Sequence, residues 1–206
     1  MADTHPTALP TDTAPLLQML AAALQDDPFY QAVTVDFAAE PARRAQCLQD
    51  YFRPAWDEAP AIGRGDRIGT QAAAIWTTSQ DAARRSAAAA RKAAALRACL
   101  GPQGWHNYHA IVAAMDAQLP ASLGPRAWYL SILGVDPVHQ GAGLGARVIA
   151  PVLAEADAQG MSCYIETFNP RSVPFYERQG FTEVHACFEP VTQSAYWTMV
   201  RAPRHR

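Results

Sequence analysis

Two apolar stretches separated by an amphipathic one form the most regular pattern in the chain. Residues 127–135 and 161–168 carry aliphatic and aromatic side chains at consecutive positions, as is typical of strands covered on both faces. Between them, residues 143–158 repeat apolar side chains every four positions, which predicts a helix. A strand, a helix and a strand in this order predict two parallel strands with a crossover helix. The expected fold class is therefore α/β (of the α+β type), with a mixed central sheet flanked by helices.

Helical and alternating patterns account for most of the remaining chain, with no sign of a domain boundary. Residues 60–78 predict a hairpin of two antiparallel strands with a turn at 67–69. Residues 1–12 follow neither pattern and are expected to be irregular, so that residues 1–206 are interpreted as a single domain. Further helices are predicted over residues 13–25, 41–53, 80–100, 104–119 and 171–179, and further strands over 181–189 and 194–201.

A glycine-rich segment joins the strand at 127–135 to the helix that follows it. Asp136 and Pro137 end the strand, because proline offers no N–H to a neighbouring strand. The small side chains of residues 140–145 (QGAGLG) allow backbone N–H groups to approach a ligand, and the start of a helix adds about half a positive charge. The segment therefore suits a diphosphate, although glycines that serve only tight packing would look the same.

The composition is that of an ordinary globular protein and argues against several classes of function. Hydrophobic residues make up 50% of the chain, charged residues 17%, and the net charge is −2. Without a basic cluster, an apolar run of about 18 residues or a signal-peptide pattern, we expect no nucleic acid, no membrane and a cytoplasmic location. Four dispersed cysteines favour reduced thiols over disulfides or zinc ligands. His106 and His109 share a helix face without a third ligand nearby, so no metal is expected.

Two motifs carry a resemblance to a known family. Val135, Pro137, Gln140, Gly143 and Gly145 match the pattern V-x-P-x-x-Q-x-x-G-x-G. Residues 166–181 (ETFNPRSVPFYERQGF) follow one helix and one strand later. This pair resembles the two signatures of the GNAT N-acetyltransferases, and within that superfamily it looks most like the puromycin N-acetyltransferases. The close resemblance covers roughly residues 127–181.

The resemblance implies a fold with splayed parallel strands and acetyl-CoA as the acyl donor. In this family the diphosphate binds backbone N–H groups of the glycine-rich loop, and the pantetheine arm lies along the end of the preceding strand. A backbone N–H of Val135 or Leu133 would polarise the thioester carbonyl. The residues expected to bind the donor are Leu133, Gly134, Val135, Gln140, Gly141, Ala142, Gly143, Leu144, Gly145, Ala146, Asn169, Ser172 and Tyr176.

Catalytic roles follow from the same resemblance. The family counterpart of Tyr176 gives a proton to the departing coenzyme A thiolate, although a core aromatic would also fit this position. The attacking amine must be neutral, and Glu166 is the expected base, with His109 as an alternative.

The expected acceptor is a primary amine of a small molecule, attacking directly in a ternary complex. The aromatic-rich segment 105–112 favours a closed pocket over the open groove that a protein amine would need. Acetylation of a protein amine and non-catalytic binding of an acyl-CoA remain the alternatives, and the chain is expected to be a monomer or homodimer. Candidate acceptor-pocket residues, which also fit core roles, are Phe29, Tyr30, Trp76, Tyr108, His109 and Trp128.

Overall fold

The computed structural model describes residues 12–204, which form one mixed six-stranded sheet with helices on both faces. The expectation for residues 1–11 lies outside the described residues. The helices are α1 (Ala14–Leu24), α2 (Pro28–Val33), α3 (Pro41–Ile62), α4 (Ala82–Cys99), α5 (Pro102–Asp116), α6 (Leu144–Ala158) and α7 (Val173–Arg178). The strands are β1 (Gly63–Ile68), β2 (Ala72–Thr77), β3 (Trp128–Val135), β4 (Cys163–Thr167), β5 (Glu183–Glu189) and β6 (Ser194–Arg201).

The strand order is β1-β2-β3-β4-β6-β5. The β3 and β4 strands pair in parallel, with α6 between them along the chain, and this confirms the predicted β–α–β unit. The other neighbouring strands pair antiparallel, including the predicted hairpin of β1 and β2. The last strand, β6, lies beside β4, so that β5 forms the outer edge of the sheet.

The sheet separates two hydrophobic cores. Helices α1 to α5 cover one face, where Leu16, Phe52 and Ile111 are fully buried. Helices α6 and α7 cover the other face, where Ile149 and Phe181 are fully buried. Helices therefore lie over both faces of β3 and β4, although burial alternates along each strand.

One predicted helix end was wrong, because tertiary burial outweighed a local proline signal, and one short helix was not predicted. Helix α3 continues past Pro54 to Ile62, although an interior proline usually costs about 3 kcal/mol. Phe52 and Ala59 are buried on either side of Pro54, so the apolar face of the helix is kept. After Asp27 the chain forms α2, which the sequence analysis did not predict, and the Asp27 carboxylate caps this helix by accepting a 2.9 Å hydrogen bond from Phe29 N.

Strands β3 and β4 pair over only part of their length. Their register runs from Trp128 opposite Cys163 to Leu130 opposite Ile165, and beyond this point no pairing continues within the described chain. On the other side of β3, Ile132 pairs with Ile75 while Leu130 pairs with Trp76, so Ser131 is an extra residue, as in a β-bulge. The bulge and the splay leave a gap between the carboxyl ends of two parallel strands.

Within residues 12–204, no helix combines the length and the apolar character that crossing a membrane would require.

Candidate active site

The free edge of β3 faces the gap between β3 and β4. Asp136 N donates a 2.8 Å hydrogen bond to Gln71 O, which follows on from the antiparallel pairing of β2 and β3. Because hydrogen-bonding direction alternates along an antiparallel strand, the backbone groups of Leu133 and Val135 point away from β2 and toward the gap. The strand end therefore presents N–H and C=O groups that an extended ligand can pair with.

The glycine-rich loop lies at one end of this gap, before the N-terminus of α6. Gly141 and Gly143 have φ angles of 81° and 77°, in the left-handed region that glycine adopts without strain. Gly143 is the N-cap of α6 and supplies no capping side chain, so the first N–H groups of the helix keep their hydrogen-bonding capacity. The Gln140 side chain fixes the loop to the strand, because its Nε2 donates a 3.2 Å hydrogen bond to Val135 O.

Gly145 allows α6 to pack closely against α7. A Cβ atom at this position would meet the Phe175 ring at 3.2 Å. The small residue thus allows the helix N-terminus to lie near β3 and α7. Left-handed glycines, an uncapped helix start and a free strand edge together fit a diphosphate followed by an extended arm, which is the shape of coenzyme A.

A cavity of about 280 Å³ lies beside the gap, on the side of the sheet covered by α1 to α5. Strands β3 and β4 form its floor, and α2, α3, α4 and α5 contribute its walls. Six of the seven tyrosines of the chain line this cavity, namely Tyr30, Tyr51, Tyr108, Tyr129, Tyr164 and Tyr176. An aromatic lining of this kind suits a small organic ligand.

Glu166, in β4, is a carboxylate held inside the cavity. Tyr129 donates a 3.0 Å hydrogen bond from its hydroxyl to Glu166 Oε2, whereas Oε1 is buried without a described hydrogen-bond partner. Burial raises the pKa of Glu166 to about 7, although the Tyr129 hydrogen bond opposes that shift. A carboxyl group with a pKa near neutrality and a free oxygen is suited to accept a proton at neutral pH.

Tyr176, in α7, lies between the hydrophobic core and the cavity. Its ring packs against Phe175 and Phe181 at centroid distances of 5.0 and 5.8 Å, and its side chain also lines the cavity. Burial, followed by the Asp27 carboxylate, raises the pKa of Tyr176 well above the ordinary value for a phenol. The hydroxyl is therefore protonated at physiological pH and can donate a hydrogen bond to a developing anion.

Asp27 is a second buried carboxylate on the cavity wall. It caps α2, and burial raises the pKa of Asp27 to about 6 despite the hydrogen bond from Phe29 N. The adjacent Tyr30 packs edge-to-face on Tyr51 at 5.4 Å. The cavity thus contains two partly protonated carboxylates at neutral pH.

The structure brings together part of the predicted site. Glu166, Tyr176, Leu133 and Ser172 all line the cavity, and so do Phe29, Tyr30 and Tyr108 of the predicted acceptor residues. Gly134 pairs with Ala73 in β2 and lies near Leu20. Asn169 is exposed and caps a short helical turn, where its Oδ1 accepts a 3.0 Å hydrogen bond from Arg171 N.

Three predicted acceptor residues lie elsewhere and are corrected. Trp76 and Trp128 are buried in the core against α6, on the opposite side of the sheet, so they fill core positions. His109 is exposed on α5, packs edge-to-face on Trp105 at 4.2 Å and does not line the cavity. This placement also leaves Glu166 as the stronger candidate for the base.

Sequence reasoning missed several residues of the cavity, namely Asp27, Tyr51, Lys92, Asp116, Tyr129 and Tyr164. For Tyr129 in β3 and Tyr164 in β4, one sequence signal was available. Burial alternates along β3 and β4, where Tyr129 and Tyr164 are more exposed than their neighbours in the strand and line the cavity. Polar-tipped side chains at alternate positions of an otherwise apolar strand therefore indicate a cavity-facing side.

Comparisons with known proteins identify relatives of the chain. The family described as Acetyltransferase (GNAT) family matches residues 67–181, more than half of the sequence. An acetyltransferase of Agrobacterium fabrum is 38% identical over 57 residues, which cover 27% of this chain and 42% of that relative. The chain thus spans less than half of the length of this curated relative.

Solved structures of low identity match nearly the whole chain. One from Corynebacterium glutamicum, described as a histone acetyltransferase and related acetyltransferase, has a TM-score of 0.59 at 16% identity and covers 97% of this chain and 95% of its own. The polyamine N-acetyltransferase of Drosophila melanogaster has a TM-score of 0.59 at 16% identity and covers 92% and 93%. At this identity the two structures show a shared fold, and they confirm the predicted fold class.

Proposed function

Because the chain belongs to the GNAT acetyltransferase family, we propose that it transfers the acetyl group of acetyl-CoA to a primary amine of a small molecule by direct attack in a ternary complex. The observation that carries this proposal is the presence of Glu166 and Tyr176 in one partly open cavity, beside the free edge of β3.

The glycine-rich loop and β3 hold the donor in this proposal. Backbone N–H groups from Gly141 to Ala146 bind the diphosphate, supported by the left-handed glycines and the uncapped start of α6. The free edge from Leu133 to Val135 pairs with the pantetheine arm, and Ser172 approaches it from the other side of the gap. When bound, acetyl-CoA supplies the activated acyl group.

In the acetyl transfer itself, a backbone N–H stabilises the developing oxyanion and a side chain accepts the proton of the amine. The N–H of Leu133 or Val135 stabilises the negative charge that develops on the carbonyl oxygen. Glu166 Oε1 accepts the proton that the amine loses as its nitrogen bonds to the acetyl carbon, directly or through water. The carbon–sulfur bond breaks, and the electron pair leaves with the sulfur.

Tyr176 acts on the departing sulfur. Its hydroxyl donates a hydrogen bond that stabilises the thiolate and supplies a proton as the thiol forms. Because the pKa of Tyr176 is raised above the phenol value, full proton transfer to a thiolate is uphill, and the benefit lies in the stabilised charge of the transition state.

The cavity favours a small acceptor over a protein. Its volume of about 280 Å³ lies near the lower end of ligand pockets, and helices enclose it on the side away from the sheet. Structural neighbours described as agmatine or polyamine N-acetyltransferases suggest alkyl amines as test acceptors. The resemblance of residues 166–181 to puromycin N-acetyltransferases adds an aminonucleoside to the panel.

The test is acetyl-CoA turnover, followed by thiol release, with alkyl amines, agmatine, puromycin and lysine-containing peptides. We expect release with at least one small amine, little with peptides, and strong losses in Tyr176→Phe and Glu166→Gln. Turnover with peptides alone would favour the protein-acetyltransferase alternative. Tight binding of acetyl-CoA by calorimetry without turnover would favour the non-catalytic alternative, and no binding would refute the proposal.

A further inference from the structure

Lys92, in α4, places a cation at the end of the cavity formed by α3 and α4. Its side chain lines the cavity, and its ammonium lies 5.5 Å from the centroid of the Tyr51 ring. Lys92 is partly buried, and burial lowers the pKa of its ammonium below the ordinary value. A partly desolvated ammonium is stabilised when an anion pairs with it.

The Tyr51 ring is a cation–π partner of this ammonium, but the described part of the chain supplies no carboxylate in direct contact with it. Within residues 12–204, no carboxylate lies within 4.0 Å of the Lys92 ammonium to form an ion pair. Glu58 acts on the pKa of Lys92 from a distance, but its Oε1 accepts a 2.7 Å hydrogen bond from Nε of the neighbouring Arg91. The Lys92 ammonium therefore keeps hydrogen-bonding capacity for a ligand in the cavity.

The carboxylates that line the cavity lie apart from Lys92, because Glu58, which does not line it, acts on the pKa of Lys92, whereas Asp27, Asp116 and Glu166 do not. Glu166 lies beside Tyr129 on the floor, and Asp116 acts on the pKa of Glu166 from α5. Asp27 acts on the pKa of both Tyr30 and Tyr176. The reacting end thus attracts an ammonium group, whereas the end at Lys92 attracts an anion.

We infer that the physiological acceptor is a zwitterion, an amine joined through a short apolar chain to a carboxylate that pairs with Lys92. This inference rests on the proposed acetyl transfer. The amine lies at Glu166, the aromatic rings of Tyr30 and Tyr51 contact the connecting chain, and the carboxylate accepts hydrogen bonds from the Lys92 ammonium. Charge-assisted hydrogen bonds of this kind are short and about twice as strong as neutral ones.

Lys92 also discriminates against diamines. A diamine that places one amine at Glu166 brings its second ammonium to the end of the cavity that Lys92 already makes positive, and like charges repel. A plain alkylamine avoids the repulsion but leaves the Lys92 ammonium without an anionic partner. Acceptor amines of equal length that end in a carboxylate, a methyl or an ammonium group therefore distinguish an amino acid, an alkylamine and a diamine as the preferred acceptor.

The experiment compares acceptors of matched length. The series 4-aminobutanoate, 5-aminopentanoate and 6-aminohexanoate is assayed against the corresponding alkylamines and diamines, with acetyl-CoA saturating. We expect the best amino acid of the series to have a kcat/KM at least about tenfold above its matched alkylamine, mainly through KM, with the diamine lowest.

Variants of α4 assign the preference to Lys92. In Lys92→Met the preference for the amino acid over the alkylamine falls toward 1, whereas Lys92→Arg retains most of it. Arg97→Met is the matched control, because it removes an exposed cation from the same helix, and it leaves the preference unchanged. An unaltered preference in Lys92→Met, or diamines better than amino acids in the wild-type protein, would overturn the inference.

A binding measurement separates this inference from the proposed function. If no amine supports turnover, the proposed acetyl transfer has failed, and calorimetric titration with the three amino acids still tests the Lys92 site. Binding that is weakened about tenfold or more in Lys92→Met supports the zwitterion, whereas absent binding or equal binding in both proteins overturns it.

Discussion

The hydroxyl of Tyr129 in β3 lies 3.0 Å from Oε2 of Glu166, which follows the last residue of β4 that pairs with β3. Tyr129 also stacks on Tyr164, the residue opposite it in register, with ring centroids 4.5 Å apart. The hydrogen bond stabilises the ionised carboxylate, while burial favours the neutral acid. The balance of the two sets the pH at which Glu166 can act as a base.

The first prediction concerns the pH profile of acetyl transfer. Because a base must be deprotonated and the pKa of Glu166 is about 7, kcat should rise with pH through about 7. Tyr129→Phe removes the hydrogen bond that lowers this pKa, so the rise should move to higher pH. Glu166→Gln should reduce kcat about 100-fold and lose this limb, and all three profiles are measured with the same amine.

The amine substrate also loses a proton as pH rises. Because all three profiles are measured at the same amine concentration, above KM, this contribution is the same for the three proteins. Tyr164→Phe is the matched control, because it removes a neighbouring hydroxyl that makes no described hydrogen bond to Glu166. A shift of the profile in Tyr164→Phe equal to that in Tyr129→Phe would contradict the role given to the Tyr129 hydroxyl.

The second prediction concerns Tyr176→Phe. The variant keeps the ring that packs against Phe175 and Phe181, so the free energy of unfolding should change little. It loses the hydroxyl at the departing sulfur, and kcat should fall about 100-fold while the Kd for acetyl-CoA stays within a few-fold. Stopped-flow thiol release and calorimetry measure the two quantities. A similar loss in Tyr30→Phe, another buried phenol of the cavity, would mean that any missing hydroxyl slows the reaction.

Much of the fold follows from local patterns in the sequence. The unit of β3, α6 and β4 is predictable because an apolar strand, a four-residue repeat and a second apolar strand are each continuous along the chain. The extension of α3 beyond Pro54 was not predictable in this way. It depends on burial of Ala59 by other parts of the fold, and such contacts override local propensity.

The donor loop and the acceptor cavity also differ in how far the sequence predicts them. The donor loop lies within a few consecutive residues, so its glycines are visible in the sequence, whereas the left-handed φ angles at 141 and 143 come from the structure. The acceptor cavity combines Asp27, Tyr51 and Lys92 with the strands, and these residues are brought together only by the packing of α2, α3 and α4 on the sheet. Because these residues are far apart in the sequence, no local pattern predicts that they line one cavity, and only the structure shows it.

The third prediction tests the left-handed glycine at the start of α6. At Gly143, φ is 77° and an added Cβ has no atom within 4 Å, so Gly143→Ala introduces backbone strain of about 1–2 kcal/mol without a clash. Relief of that strain would move the loop amides, and the KM for acetyl-CoA should rise about tenfold. Gly160→Ala is the matched control at the other end of α6, with φ of 64° and equally open space. It should lose similar stability in urea and keep its KM, and an equal rise in KM would refute a donor role for the loop.

The fourth prediction concerns the ion pair that joins α6 to β6. The Arg201 guanidinium donates two 2.7 Å hydrogen bonds to the Asp157 carboxylate, and the Arg201 side chain is only 3% exposed. Asp157→Asn leaves this guanidinium without its counter-charge and should cost about 2–3 kcal/mol at pH 7.

The pH dependence of that cost gives the decisive measurement. Hydrogen bonds from Arg201 lower the pKa of Asp157, so the pair stabilises the fold above the ordinary carboxyl pKa of about 3.9 and loses this contribution as pH falls through the lower folded value. Urea unfolding should therefore show a difference between wild type and Asp157→Asn that is full at pH 7 and shrinks below about pH 4. Glu155 lies on the same helix as Asp157 and forms an exposed ion pair with Arg64 of β1. Glu155→Gln, which breaks this pair, should cost at most about 0.5 kcal/mol. A difference for Asp157→Asn that stays constant down to pH 2 would show that packing, and not the charge, holds α6 to β6.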